Sequence, residues 1–376
     1  MSNKYTHQLF IKTSELPANW DQVAKSCIFL QKNYLRILEK SSPENMQNTF
    51  VGIFEGDKLL ATALIQEIDL ALLPGFGERD HALKTALRNF LFKQFASKLL
   101  LMGNNMLSGQ NAYNLLPEAN ESSVIEKLRE IVQFWDRKAH LRIFKDFNES
   151  QIQTFEIPSF QSDFRFSSQP NMIFKIRSNW QKEEDYVKEL SKKYRDQYKR
   201  CRKKGAEISS KELSYEDILQ AEETIYQLYL HVAKNAPFNT FILPQKHFSS
   251  FKKNLGSDFI IRGYYLENQL VGFTTVIRHG NELETYFLGY DEKIQREKML
   301  YLNMLYDLIN CGIVQGFERI IFGRTALEIK SSVGAEAVPL KGIMRHSFGV
   351  IHTNLSWIFP LLEPKAKWIQ RHPFKD

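Results

Sequence analysis

The clearest pattern along the chain is at residues 50–66, FVGIFEGDKLLATALIQ, where two β-rich apolar runs flank a Gly-Asp turn. Residues 259–277, FIIRGYYLENQLVGFTTVI, repeat the arrangement around Glu267-Asn268-Gln269. Each hairpin is followed by a helical stretch and another short apolar strand. These are residues 81–97 and 98–102 in the first half, and 296–315 and 319–322 in the second. The pattern predicts two copies of one αβ unit. Pro158, Ser159, Ser167, Ser168 and Pro170 cluster between them as a junction, which divides the chain into 1–160 and 161–376.

The second half shows further periodicity. Residues 180–204 predict a helix with the apolar stripe Val187, Leu190, Tyr194 and Cys201. A second helix, about 215–234, places Ile218, Ala221, Ile225, Leu228, Tyr229 and Val232 on one face. Pro237 and Pro244 interrupt the pattern over 235–245, and 283–290 reads as a strand. The helix at 296–315 is apolar nearly all round except for the stripe Asn303, Asp307 and Asn310, so it packs against a sheet; Gly316 ends it. A strand at 319–322 and a short helix at 326–332 follow. An antiparallel meander leading through a helical crossover to a parallel neighbour is a mixed-sheet α/β fold.

Composition adds a large aromatic core, with 28 Phe among 376 residues. Charge adds more. The formal net charge is +7, and residues 188–204 hold nine bases against two acids, so one segment carries the whole excess. A generally basic, nucleic-acid-coating protein is excluded. The first residues show no apolar secretory run, and no apolar stretch approaches the ~20 residues of a membrane-spanning helix. Cys27, Cys201 and Cys311 form no CxxC pair, and no His, Cys, Asp or Glu spacing resembles a metal site. These features predict a cytoplasmic protein with no metal and no bound cofactor.

The hairpin 259–277, the strand ELETYFLGYD at 282–291, the helix after it and ERIIFGRT at 318–325 together resemble the GNAT superfamily of N-acyltransferases. The duplication, the basic segment LSKKYRDQYKRCRKKG at 190–205 and the run from Glu328 to Ala335 around Lys330 are similar to the tandem-GNAT group. That group includes the Fem peptidoglycan aminoacyltransferases and related peptidoglycan-biosynthesis acyltransferase-like proteins. The resemblance implies two GNAT-like αβ units in tandem, the first without a site of its own and the second catalytic. It implies acyl or aminoacyl transfer to an amine. One departure stands out. The Gly-rich turn that cradles the pyrophosphate of coenzyme A in GNAT enzymes is Gln295-Arg296-Glu297-Lys298-Met299-Leu300 here, with large side chains at both glycine positions. The donor is therefore left open among acyl-CoA, acyl carrier protein and aminoacyl-tRNA.

By the same resemblance, Lys330 matches the family lysine beside the transferred acyl group, where a fixed cation stabilises an oxyanion. Glu284 is the expected general base, and Tyr286 and Tyr290, on the same strand face by alternation, are candidate acids for the leaving group. Arg324 and Thr325 end a core strand, a common site position in open α/β sheets. Phe238, Asn239 and Phe241 would shape an acceptor pocket. His279 and His346 are isolated and more often structural. Lys192, Arg195, Lys199 and Arg202 recur at helical spacing as a ridge for tRNA phosphates or the anionic headgroup of a lipid-linked substrate. Acids at the head of this helix and bases at its tail also suit the macrodipole alone. The ridge supports an alternative reading, a degenerate acyltransferase fold that binds RNA or an anionic membrane.

Overall fold

In a computed structural model, residues 5–73, 93–135, 139–235, 239–362 and 368–375 are described. In chain order the strands are β1 (Thr6–Phe10), β2 (Met46–Glu55), β3 (Lys58–Asp69), β4 (Lys98–Met102), β5 (Tyr113–Leu115), β6 (Leu141–Phe147) and β7 (Phe164–Lys175). They continue as β8 (Ser209–Glu212), β9 (Phe259–Leu266), β10 (Gln269–His279), β11 (Glu282–Tyr290), β12 (Arg319–Gly323) and β13 (Glu336–His346). The chain forms two units. The first comprises Met1–Ser168, Thr240–Pro244 and Pro339–Lys365; the second comprises Gln169–Asn239, Gln245–Val338 and Ala366–Asp376. The division after Ser168 falls inside the Pro- and Ser-rich junction. The later return to the first unit has a direct cause, because β13 completes that unit's sheet beside β6.

In the first unit β1, β2, β3 and β4 run antiparallel, β6 is parallel to β4, and β13 is antiparallel to β6. The helix Glu121–Phe134 lies on the crossover from β4 to β6, its first turn closed by the Asn120 side chain accepting from the Ser123 N–H. Its buried Val124, Ile125, Leu128 and Ile131 join the sheet's Ile53, Ala63, Leu100 and Phe144 in one core. Phe144, Phe147, Phe155 and Phe160 pack ring on ring there at 4.5 to 5.7 Å. The helical stretch expected at 81–97 lies largely outside the described residues.

The second unit repeats the plan. β8, β9, β10 and β11 run antiparallel, β12 is parallel to β11, and β7 is antiparallel to β12. Glu267 and Asn268, at φ of 49° and 63°, make the two-residue β9–β10 turn that a right-twisted hairpin favours. Leu300–Val314 is the crossover helix, with Leu305, Ile309 and Ile313 packed on Val276, Leu283 and Ile320 of the sheet. By this topology 98–102 corresponds to β11, not to 319–322 as the spacing suggested. The counterpart of 319–322 is β6, the strand after the first crossover. β6 also carries a left-handed residue near its end, Asp146 at φ 71°, as β12 does at Gly323, φ 69°.

Three expected helices are divided. Residues 180–204 form Glu183–Glu189 and Lys192–Lys204. The break arises because the C-terminal tail pairs there: Leu190 bridges Phe374, Ser191 N–H donates to Pro373 O, and Lys375 N–H donates to Glu189 O. The macrodipole account therefore fails for the second piece, whose first turn holds Lys192 and Lys193. Residues 215–234 divide at Ala221 into Tyr215–Gln220 and Glu222–Asn235. Residues 296–315 divide at Met299, at φ 54°, into the end of Glu292–Lys298 and Leu300–Val314.

Gly289 tests the packing between β11 and the helix Glu222–Asn235. A Cβ there would stand 2.5 Å from Leu228 C and 2.6 Å from Tyr229 N, both backbone atoms. Gly289→Ala is expected to lower unfolding free energy by about 2 kcal/mol, measured by urea unfolding, because backbone cannot yield as a side-chain tip does.

Candidate active site

The centre of the second unit is where β11 and β12 part. Their parallel pairing covers Glu282 with Arg319, Leu283 with Ile320 and Glu284 with Ile321. Thr285 Oγ1 then donates to Ile321 O at 2.9 Å. Beyond this point β11 continues to Tyr290 while β12 turns away at Gly323. The carbonyls at the end of β12 thus need partners other than β11.

Lys330 supplies them. Its side chain is buried, and its Nζ donates to Phe322 O at 2.6 Å, Arg324 O at 2.6 Å and, more weakly, Gly323 O at 3.4 Å. An ammonium has three N–H groups, and all three are engaged. Burial pushes Lys330 down to about 7, while the carbonyl contacts favour the ammonium. The turn they hold is unusual: Thr325 and Ala326 both have positive φ, 65° and 46°. A β-branched residue in that region is strained, and strain is kept only where the surroundings over-determine it. Here they do. Ala335 N–H donates to Lys330 O, Tyr186 OH donates to Val333 O, and Gly334 fits against Phe374 only because it lacks a Cβ. Arg324 is half-buried and Thr325 exposed on this turn.

On β11 the three candidates do not share a face. A bulge opposite Thr274 to Val276 inserts one residue in β11 and reverses its alternation. Tyr286 faces the helix His247–Leu255, stacked on Phe251 at 4.9 Å, and Glu284 lies two residues before it on the same side. Tyr290 turns to the other face, beside Tyr301, Leu300 and Met304. Glu284 is 6% exposed. Burial, and after it the charge of Glu282, hold its carboxyl well above the usual carboxylate range. That shift favours the protonated, uncharged form of the carboxyl.

Sequence reasoning missed His247. It is fully buried, and its Nε2 lies 3.0 Å from the Tyr286 hydroxyl. The available signal was the apolar stripe it shares with Phe248, Phe251 and Leu255 at the start of a helix.

The remaining candidates disperse. Asn239 belongs to the second unit, where its Nδ2 donates to Ala233 O; Phe241 is buried in the first unit; Phe238 lies outside the described residues. His346 is in the first unit, with Nδ1 accepting from Phe348 N–H and Nε2 donating to Phe95 O, so both nitrogens are engaged. The ridge is interrupted at Arg202, which turns inward to pair with Glu183 and Asp307 beneath Tyr198 and Tyr306. Lys192 and Lys199 remain exposed and Arg195 is half-buried; Arg200, Lys203 and Lys204 are also exposed. The expected pyrophosphate turn is occupied by the helix Glu292–Lys298 and the fully buried Leu300. Among the described residues, no group of three or more His, Cys, Asp or Glu can hold a metal, and no helix is long and apolar enough to cross a membrane.

No family model and no curated protein matches this chain. Solved structures do. It is similar to FemX at 9% identity, covering 89% of this chain and 96% of that one with a TM-score of 0.53. The C-terminal domain of a putative lysylphosphatidylglycerol synthetase from Agrobacterium fabrum matches at 8% identity, over 90% of this chain and 96% of that one, TM-score 0.53. A conserved protein of unknown function from Bacteroides thetaiotaomicron matches at 11% identity, over 87% and 96%, also with a TM-score of 0.53. At such identities the likeness concerns the fold. The fold shared with these structures is a mixed-sheet α/β fold. The alternative RNA- or membrane-binding module gains no support from these neighbours.

Two outcomes test the site's electrostatics. The folded Glu284 binds a proton that the unfolded chain, near 4.5, releases. Its contribution is intact below that pH and is lost as pH rises from there toward the folded value. Glu284→Gln should therefore match wild type in urea unfolding near pH 4 and become the more stable of the two as pH rises, by up to about 1.4 kcal/mol per pH unit. Lys330→Met leaves buried carbonyls without donors and should lower unfolding free energy by about 2 kcal/mol. Hydrogen exchange should quicken first at residues 323–333.

Proposed function

We propose that the second unit is an N-acyltransferase that passes an acyl or aminoacyl group directly from an activated donor to an amine. The observation that carries this reading is the opening after Glu284 and Ile321. Tyr286, paired with His247, lies two residues beyond Glu284 on β11, and the Lys330-held turn follows β12. In this reading the neutral amine attacks the acyl carbon, and the bond from that carbon to the donor's sulfur or oxygen breaks. Tyr286 gives its hydroxyl proton to the leaving atom, and His247 restores it from Nε2. The proton shed by the amine as the amide forms returns the balance through solvent. Lys330 is a positioning residue: it fixes residues 322–326, with Arg324 and Thr325 as the proposed substrate contacts.

The donor classes are acyl-CoA, acyl carrier protein and aminoacyl-tRNA. All three are anionic, which suits the exposed Lys192, Lys199, Arg200, Lys203 and Lys204 on one helix. The blocked glycine turn argues for a donor held otherwise than by a pyrophosphate cradle. The peptidoglycan precursors and lipid-linked amines suggested by the resemblance are acceptor candidates, and a cytoplasmic location suits each donor.

The test is amide formation, followed by mass spectrometry with isotope-labelled acyl groups on each donor in turn. Tyr286→Phe should lower kcat about 100-fold with KM little changed, as loss of a general acid does. Labelled amide from none of the donors, or full activity in Tyr286→Phe, contradicts the reading.

A further inference from the structure

The first unit contains a cavity of about 620 Å³, a size typical of small-molecule sites. Its lining includes Lys98 at the start of β4, Arg142 on β6, Arg345 on β13 and Arg129 on the helix Glu121–Phe134. Among the described residues of the lining, four long cations face a single carboxylate, Asp163. That carboxylate is already engaged: Arg129 pairs with it through both amino groups, and Arg345 donates to it at 2.9 Å. Lys98 has Asp69 across the β3–β4 ladder.

Arg142 has no acid. Its Nε donates to Val132 O at 3.0 Å and one amino group donates to Ser347 Oγ at 2.6 Å, both neutral acceptors. It also stands directly opposite Arg345 in the antiparallel β6–β13 ladder. Like charges placed directly opposite each other in a sheet are destabilising. Burial, and after it the Arg345 charge, disfavour the Arg142 cation further. Two opposed guanidinium forks beside a cavity have the geometry that binds phosphate oxygens, and a bound dianion turns their repulsion into attraction.

We propose that this cavity is a binding site for a phosphate group carrying at least two negative charges, gripped between Arg142 and Arg345. A monocarboxylate would leave the lining positively charged, so the charge balance favours phosphate. The rim adds an observation about the bearer. The lining residue Phe348 keeps 49% of its surface exposed. The phosphate can belong to a free organophosphate or to a lipid headgroup whose apolar part meets that rim. This site uses residues of the first unit only and is independent of the acyl-transfer reading.

The experiment uses the full chain. Calorimetry with inorganic pyrophosphate tests the soluble source. Sedimentation with phosphatidic acid–phosphatidylcholine vesicles, against phosphatidylcholine alone, tests the lipid source. Binding in either arm is expected, weakened about tenfold or more in Arg142→Gln and in Arg345→Gln, and unchanged in Lys25→Gln, at an exposed lysine outside the lining. Unliganded Arg142→Gln should unfold at the same or a higher temperature than wild type, because the opposed charges are gone. Binding to pyrophosphate alone assigns the site to a free phosphate, and binding to the acidic vesicles alone assigns it to a headgroup. Binding in neither arm overturns the proposal. So does binding that both arginine variants retain, or an Arg142→Gln protein destabilised without ligand, which would make Arg142 a structural tie.

Discussion

A buried ammonium among three backbone carbonyls is the contact on which the second unit's site depends. β12 leaves β11 after Ile321, and the carbonyls of Phe322, Gly323 and Arg324 are met by the Lys330 ammonium instead. Left unpaired in the interior they would cost about 1–3 kcal/mol each. Lys330 replaces the missing strand with a point charge. Burial disfavours its charge, and all three of its donors are used. It also lets Thr325 and Ala326 stay in the left-handed region, a conformation that costs of order 1–3 kcal/mol per residue. The opening between the strands and the clamp that closes its base are therefore one feature.

The same plan, used twice, gives different results. In both units a parallel pair sits at the centre and a crossover helix precedes its second strand. In the second unit the central strand carries Tyr286, paired with His247 of a neighbouring helix, and the buried carboxyl of Glu284. In the first it borders a cation-lined cavity with an uncompensated arginine. One sheet topology can carry two unrelated chemistries because the side chains at the strand ends, not the ladder, decide what is bound.

Much of this could be read in the sequence, for physical reasons. Alternation around a short polar turn identified both hairpins, and a helix apolar nearly all round identified the crossover. The failures share one cause, information held by distant residues. The break at Leu190 and Ser191 is made by Pro373 and Phe374, far along the chain. Tyr290 left its expected face because β10 imposes a bulge on β11, and period-2 counting does not register an inserted residue. Arg202 looked like part of a solvent ridge because Asp307, its partner, lies on another helix. Lys330 was singled out by resemblance alone; its burial and its three acceptors depend on a turn whose positive φ values fall on Thr and Ala, residues that give no such signal. His247 passed as a core residue on an aromatic stripe, and only the distance to Tyr286 marks it as chemical.

The account rests on acyl transfer taking place at the opening between β11 and β12. The most direct measurement is a crystal structure of the chain with a stable bisubstrate analogue, an acyl donor joined to an amine through a non-transferable link. The account predicts density for the analogue's acyl carbon in that opening, within hydrogen-bond reach of Tyr286 and beside residues 323–326. An analogue bound elsewhere, with the opening unchanged, would contradict it.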